Sequence, residues 1–216
     1  HKTQALAKKK LQSEIYRLIK PLCLKTDHLG NELGTLDPRE ALVSKWRRHF
    51  FKAQGELARS KLTLFLKNIK LLSKSVAPRV LYANILLGNH AWPTAHRTGK
   101  GKFEICPLCK LKMDFTIHII HCKPVRELFN SFFGPANPES HKNRVLLGNN
   151  FDDEVIIACY LNFAAYQVYL KAKHSGHFGV SANNILEFAS EAAVSSDKHK
   201  ELWVSAPMKR KPVHGP

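Results

Sequence analysis

Apolar side chains recur every three to four positions over much of this chain, and that spacing predicts amphipathic helices. The spacing is regular over residues 2–20, 56–74 and 181–195. Residues 155–173 are apolar on nearly every side, so this segment is expected to be a buried central helix. The pattern therefore predicts a mainly α protein, organised as a helical bundle.

Turn and cap residues predict where these helices begin and end. Asp37 followed by Pro38 is a good helix start, because Asp caps an N terminus and Pro is favoured at the first helical position. Glycines predict a loop over residues 27–36. Another helix is predicted over residues 79–87, ended by a glycine, and residues 88–102 are expected to form a second loop.

Three cysteines and two histidines are spaced as metal ligands. Cys106 and Cys109 are separated by two residues, which is typical of a knuckle that turns both thiolates toward one point. His118 and Cys122 are four positions apart and share one face of a helix. We therefore predict one zinc ion bound by these four residues, with His121 as the alternative to His118. Zinc prefers four such ligands in a tetrahedron.

The residues around the cysteines predict a small ββα unit over 103–133. Phe103 begins a short strand, Leu111 begins its returning partner, and Asp114 or Thr116 can cap the helix that follows. Such a unit buries too little surface to fold alone, so the zinc is expected to be structural.

These elements divide the chain into consecutive regions. We predict a basic N-terminal helix and loop (1–36), a basic helical region (37–102), the zinc-knuckle unit (103–133), a linker (134–151), a C-terminal helical region (152–204) and a basic extended tail (205–216).

Positive charge is concentrated before the cysteines. The chain has 34 Lys and Arg against 17 Asp and Glu, a net charge of +17. Residues 1–100 hold 20 of the basic and 6 of the acidic side chains. An excess of this size favours binding to phosphates, because condensed counterions are released. The predicted nucleic-acid-binding residues are Lys8, Lys9, Lys10, Lys45, Arg47, Arg48, Lys52, Arg59, Lys61, Arg97, Lys100 and Lys102.

The order of these features resembles the zinc-binding C-terminal region of non-LTR retrotransposon reverse transcriptases. The resemblance covers residues 76–133 and rests on a helix, a loop, Cys-Pro-Leu-Cys and His-Ile-Ile-His-Cys. It implies Cys106, Cys109, His118 and Cys122 as zinc ligands and a role in holding RNA or DNA. The family commonly has four residues between its histidine and last cysteine, whereas this chain has three.

Catalytic motifs of the polymerase type are not evident in the sequence. Asp152 and Asp153 are adjacent, but they follow the cysteines and lack the preceding spacer residue that the polymerase signature has. We interpret them as acids at a helix start. Four protein ligands would also leave zinc without an open position for water. The sequence therefore predicts a protein that is not an enzyme.

The sequence thus predicts a non-catalytic RNA-binding protein of a large ribonucleoprotein, such as an organellar ribosome, with protein neighbours in the same particle. The alternatives are a C-terminal fragment of a reverse transcriptase and a zinc-stapled protein–protein adaptor. Five cysteines, three of them in the motif, favour a reducing intracellular compartment: mitochondrion, cytoplasm or nucleus. The longest uncharged run, 155–170, is too short to predict a membrane span. Because the chain begins at His1, we also expect a processed product or a fragment.

Overall fold

The structure is a computed structural model that describes residues 24–26, 32–35, 38–52, 54–98, 104–175, 180–196 and 199–206. The described residues are mainly helical, which confirms the predicted mainly α class. The predicted helix over 2–20 and all but the start of the predicted tail lie outside them. The chain divides into two compact units, residues 1–62 and 63–216.

A short antiparallel hairpin opens the described part of the first unit. β1 (Leu24–Thr26) pairs with β2 (Glu32–Thr35), with Leu24 opposite Thr35. The sequence predicts a loop over 27–36, so the strand at β2 corrects that prediction. Glycine and asparagine indicate a turn locally, whereas a strand is stabilised by the partner with which it pairs.

The first full helix, α1 (Pro38–His49), begins at the proline as predicted. Its apolar face is buried: Trp46 is fully enclosed, and its ring centroid lies 5.5 Å from that of Phe50 and 5.9 Å from that of Phe51. The aromatic cluster fixes one side of α1 and leaves the opposite side to charged residues.

The second unit is built from short helices around one long helix. Its helices begin and end close to the turn and cap residues of the sequence. For example, Ser181 caps the helix that begins at residue 182, through a reciprocal pair of hydrogen bonds with Asn184. After α2 (Gly55–Leu72) come α3 (Pro78–Gly88), α4 (Ala95–Thr98), α5 (Thr116–His121), α6 (Lys123–Phe133), α7 (Pro138–Val145), α8 (Asp153–Ser175), α9 (Ala182–Val194) and α10 (Lys200–Ser205).

The core of the second unit forms around α8, which packs against α3, α6, α7 and α9. Side chains on all its sides are buried, which confirms the predicted central helix. Asn162 donates to the side-chain oxygen of Asn84 and to the carbonyl of Val145, both at 2.8 Å. Asn84 in turn donates to the sulfur of Cys159 at 3.2 Å, and that cysteine is a buried free thiol. Paired amides thus join three helices.

By length and composition α8 is the one helix within the described ranges that is apolar enough to cross a membrane. However, 72% of its most apolar window is buried inside the protein. Such burial is what the core helix of a folded unit shows.

Residues 134–151, which the sequence predicts to be a linker, instead contain α7 and part of the core. The side chain of Asn137 accepts a hydrogen bond from the amide of Ser140 at 2.8 Å, and Pro138 is the first helical residue. Residues 145–147 are at most 2% exposed. The Asn-Pro pair is therefore a helix start, and the apolar residues that follow decide that the segment is packed.

The region of the predicted ββα unit contains its helix but not two strands. Among the described residues around the cysteines, one antiparallel bridge joins Ile105 to Met113. The amide of Cys106 donates to the carbonyl of Lys112 at 2.7 Å beside that bridge. Because the knuckle reverses the chain so tightly, the residues on either side of it form this single bridge and not a pair of strands.

We predict that Gly88→Ala lowers the free energy of unfolding by about 1–3 kcal/mol. A Cβ atom on Gly88 would overlap the ring of Phe65, so α2 and α3 would have to move apart. Urea unfolding followed by circular dichroism measures the change. Gly55→Ala is the control, because its Cβ would meet only Cδ of Arg47 at 3.7 Å. Equal stability of the two variants would contradict the close packing of α2 on α3.

Candidate metal centre

The four predicted ligands lie together in the second unit. One ligand atom each from Cys106, Cys109, His118 and Cys122 lies within 4.8 Å of all the others. The sulfurs of Cys106 and Cys122 are 3.8 Å apart, which equals the edge of about 3.8 Å that two zinc–sulfur bonds of about 2.3 Å span in a tetrahedron. Nε2 of His118 lies 3.2 Å from the sulfur of Cys109. The cluster can hold one metal ion.

The knuckle between the first two cysteines is held by its own backbone. The amide of Lys110 donates to the carbonyl of Cys106 at 2.9 Å, and Lys110 has a positive φ of 56° that reverses the chain. The amide of Leu111 reaches the sulfur of Cys109 at 3.5 Å. Local hydrogen bonds therefore hold the turn that brings both thiols to one side of the knuckle.

The other two ligands come from the end of α5. His118 lies within the helix, and Cys122 follows its last residue, so the four-residue spacing keeps both on one face. Cys122 also precedes the first residue of α6, where Pro124 is accommodated in the first turn. The proline thus ends one helix and begins the next at the position of the fourth ligand.

The structure resolves the alternative between the two histidines in favour of His118. His121 is exposed, lies outside the cluster, and has its ring centroid 6.2 Å from that of His141. Although part of this side chain is exposed, partial enclosure of its ring and then the nearby charge of His141 lower the pKa of His121. His141 in turn hydrogen-bonds the carbonyl of Ile120 through Nε2 at 2.7 Å, which holds α5 against α7.

The thiols of Cys106 and Cys122 ionise as a pair. A hydrogen bond from Cys122 is the main cause that lowers the pKa of Cys106, whose sulfur also receives backbone hydrogen bonds from Leu108 and Cys109. The same hydrogen bond, with burial, raises the pKa of Cys122. Because thiols must lose their protons to bind a metal, metal binding at this cluster should release protons and weaken in acid.

Asp114 joins the metal-binding loop to the core. Its Oδ2 accepts hydrogen bonds from the amide of Ala95 and the hydroxyl of Tyr169, both at 2.7 Å, and the ammonium of Lys173 lies at 3.8 Å. Burial raises the pKa of this carboxyl, although the hydrogen bond from Tyr169 opposes the shift. Asp114 does not cap α5, because Phe115 occupies the N-cap position without a side-chain hydrogen bond.

The sequence predicts Asp114 or Thr116 as a local helix cap and not this contact between Asp114 and the core. The available signal was an acid between two large apolar residues, Met113 and Phe115, next to the ligand motif. An acid in such a position becomes buried and needs a distant donor. Tyr169, which supplies that donor, is 55 residues further along the chain.

The predicted cationic residues fall into several groups. Arg47, Arg48 and Lys52 are exposed in the first unit, and Lys45 and Lys61 are half-buried there. Arg59 binds both carboxylate oxygens of Glu40, so its guanidinium is engaged. Arg97, in the second unit, donates to the carbonyl of His90 at 3.0 Å. The remaining predicted residues, Lys8, Lys9, Lys10, Lys100 and Lys102, lie outside the described residues.

The adjacent aspartates behave as helix-start acids, as predicted. Oδ1 of Asp152 accepts a hydrogen bond from the amide of Val155 at 3.0 Å, and Asp153 is the first residue of α8. Asp152 thus satisfies one amide at the helix N terminus, and the charge of Asp153 suits the positive end of the helix dipole.

No protein family, curated protein or solved structure matches the chain. The resemblance to reverse transcriptases therefore depends on the ligand motif and the helices beside it.

We predict that His118→Ala abolishes the tetrahedral absorption bands of bound Co²⁺ and lowers zinc stoichiometry, because the cluster loses one of four ligands. His121→Ala is the matched control, since it removes a neighbouring histidine of the same helix and leaves the cluster intact. Native mass spectrometry measures the stoichiometry. The ligand assignment fails if His121→Ala loses the metal while His118→Ala keeps it.

We further predict that Tyr169→Phe destabilises the protein by about 1–3 kcal/mol, because Asp114 loses a buried hydrogen-bond donor. Tyr166→Phe should change stability by less than about 0.5 kcal/mol. The rings of Tyr169 and Tyr166 both pack on Trp92, at centroid distances of 5.7 and 5.1 Å. Comparing the two variants therefore separates the contribution of the Tyr169 hydroxyl from that of ring packing. Urea unfolding provides the measurement. Equal losses of unfolding free energy in the two variants would show that the hydrogen bond between Tyr169 and Asp114 does not stabilise the protein.

Proposed function

We propose that this chain is a non-catalytic RNA-binding structural protein of a large ribonucleoprotein, such as an organellar ribosome, stabilised by one zinc ion. The observation that carries the proposal is the group of exposed cations at the end of α1 and just after it. Arg47, Arg48 and Lys52 are all exposed there. We call these three residues the α1 cations.

The electrostatic surroundings of the α1 cations support phosphate binding. Residues 38–62 contain seven basic side chains and two acidic ones, and one of those acids, Glu40, is engaged by Arg59. Burial first, and then the charges of Lys45 and Arg48, lower the pKa of His49. A further positive charge is therefore disfavoured at this end of α1, whereas a phosphate would be attracted.

The packing of α1 also suits a fixed binding surface. The aromatic cluster of Trp46, Phe50 and Phe51 is at most 4% exposed and holds one face of the helix in place. The α1 cations then need less ordering when they meet a phosphate backbone. Contacts of this kind position a protein on nucleic acid without reading its sequence.

The proposed metal is zinc, and its proposed role is structural. Three thiolates and one imidazole are the donor set that zinc prefers, and four protein ligands close its coordination shell. With zinc bound, the Ile105–Met113 bridge and α5 would act together as the ββα unit expected from the sequence. The proposal includes an evolutionary origin of the zinc-binding unit in a retroelement, which the resemblance of its motif suggests.

We predict that replacing the α1 cations by alanine weakens binding to a fluorescein-labelled RNA hairpin. Each lost phosphate contact should reduce the slope of log affinity against log salt by about 0.7–0.9, so the triple variant should lose about 2–3 units. Fluorescence anisotropy over a series of salt concentrations measures the slope. The control replaces three exposed cations of the second unit, Arg126, Lys171 and Lys200, and should bind nearly as the parent does.

Three results would overturn the proposal. Equal slopes of log affinity against log salt in the two triple variants would show that the α1 cations do not contact phosphates. Binding to an acidic protein with no RNA affinity would favour an adaptor. In a cell extract the chain should sediment with a large particle and be released by ribonuclease, and sedimentation that ribonuclease leaves unchanged would exclude an RNA-dependent assembly.

A further inference from the structure

Large apolar side chains are exposed on the loop that carries the metal ligands. Leu111 is 68% exposed, Ile105 49% and Met113 38%. The described residues contain seven large apolar side chains with comparable exposure, and three of them lie within the short stretch 105–113. Exposed apolar residues scattered singly need no explanation, but a group of them marks an interaction surface.

A groove with a volume of about 570 Å³ lies beside these side chains. Its apolar lining consists of Leu111, Met113, Phe115 and Ile117, which come from the loop and the first turn of α5. This volume lies within the range of roughly 300–1,000 Å³ that is typical of ligand pockets. We refer to it as the loop groove.

Two lysines, Lys112 and Lys123, line the loop groove, and no aspartate or glutamate does so among the described residues. His121 also lines it, as do Cys109 and His118, two of the four residues of the metal-binding cluster. The ammonium of Lys123 lies 3.8 Å from Glu127 on α6, but both side chains are more than half exposed. A pair so exposed is weak, so Lys123 remains available to a carboxylate of a partner.

We infer that the loop groove binds an acidic segment of another protein, in which a leucine or phenylalanine anchor is flanked by Asp or Glu. The apolar lining accepts the anchor, and Lys112 and Lys123 meet the carboxylates. Single-stranded nucleic acid fits less well, because it stacks on aromatic faces and Phe115 is the one phenyl ring in the lining. The inference goes beyond the proposed RNA binding and uses different residues.

The test is selection of peptides of about twelve residues from a random display library on the zinc-loaded full chain. We expect the selected peptides to combine one large apolar residue with at least two acids. Leu111→Ser should weaken their binding at least about tenfold, as loss of a central apolar contact does. Val204→Ser is the matched control, because Val204 is 74% exposed on α10 and lies outside the groove.

A second variant tests the charge and guards against misfolding of the first. Lys112→Glu leaves the apolar lining in place and should weaken the acidic peptides by a factor that shrinks at high salt. Zinc stoichiometry and circular dichroism confirm that both variants are folded. RNA binding should be unchanged in both, which separates this inference from the proposed function.

Several outcomes would overturn the inference. These are a selection without enriched peptides, enriched peptides that lack acids, and equal binding to the parent and Leu111→Ser. Loss of RNA-hairpin binding in Leu111→Ser would assign the groove to nucleic acid. Self-association of the parent that disappears in Leu111→Ser, measured by sedimentation equilibrium, would assign it to a second copy of the chain.

Discussion

The position of the metal-binding loop depends on one buried carboxylate. Asp114 is 2% exposed and connects the loop to α8 through Tyr169 and to residue 95 through a backbone amide. A buried charge is costly unless donors surround it, so these hydrogen bonds must form together with the fold. Lys173 adds a second contact between α8 and the segment before α4, because its ammonium donates a hydrogen bond to the carbonyl of Pro93 at 2.6 Å. Hydrogen bonds to Asp114 thus fix the end of the loop against α8 and residue 95.

The two units carry different surfaces. The first unit presents the α1 cations opposite a buried aromatic face, and the second presents the loop groove beside four metal ligands. A metal ion with four protein ligands contributes folding energy and leaves no position for a substrate. Under the proposed function, the metal would therefore stabilise a surface for partners, and the cations of the first unit would supply the affinity for RNA.

Local signals were sufficient for much of the fold. The helix predicted to start at Pro38 begins there, and the helices predicted over 79–87 and 181–195 begin within one residue of those bounds, because helix starts depend mainly on neighbouring residues. The strand at β2 and the short helix α7 were missed, since turn residues look alike in a linker and in a packed segment. Apolar content at 145–147 was the better guide there, because burial decides whether a segment is held in place.

The sequence alone determined that Cys106, Cys109 and Cys122 would meet, because knuckle and helical spacings are short-range and set by backbone geometry. It left the histidine open, and the structure selected His118 from its placement in α5. Only the tertiary structure decided the role of Asp114, whose donors lie far away in the chain, and the exposure of Leu111 and Met113. The sequence predicts that Leu111 begins a returning strand, but whether its apolar side chains are buried depends on which other parts of the chain pack against them.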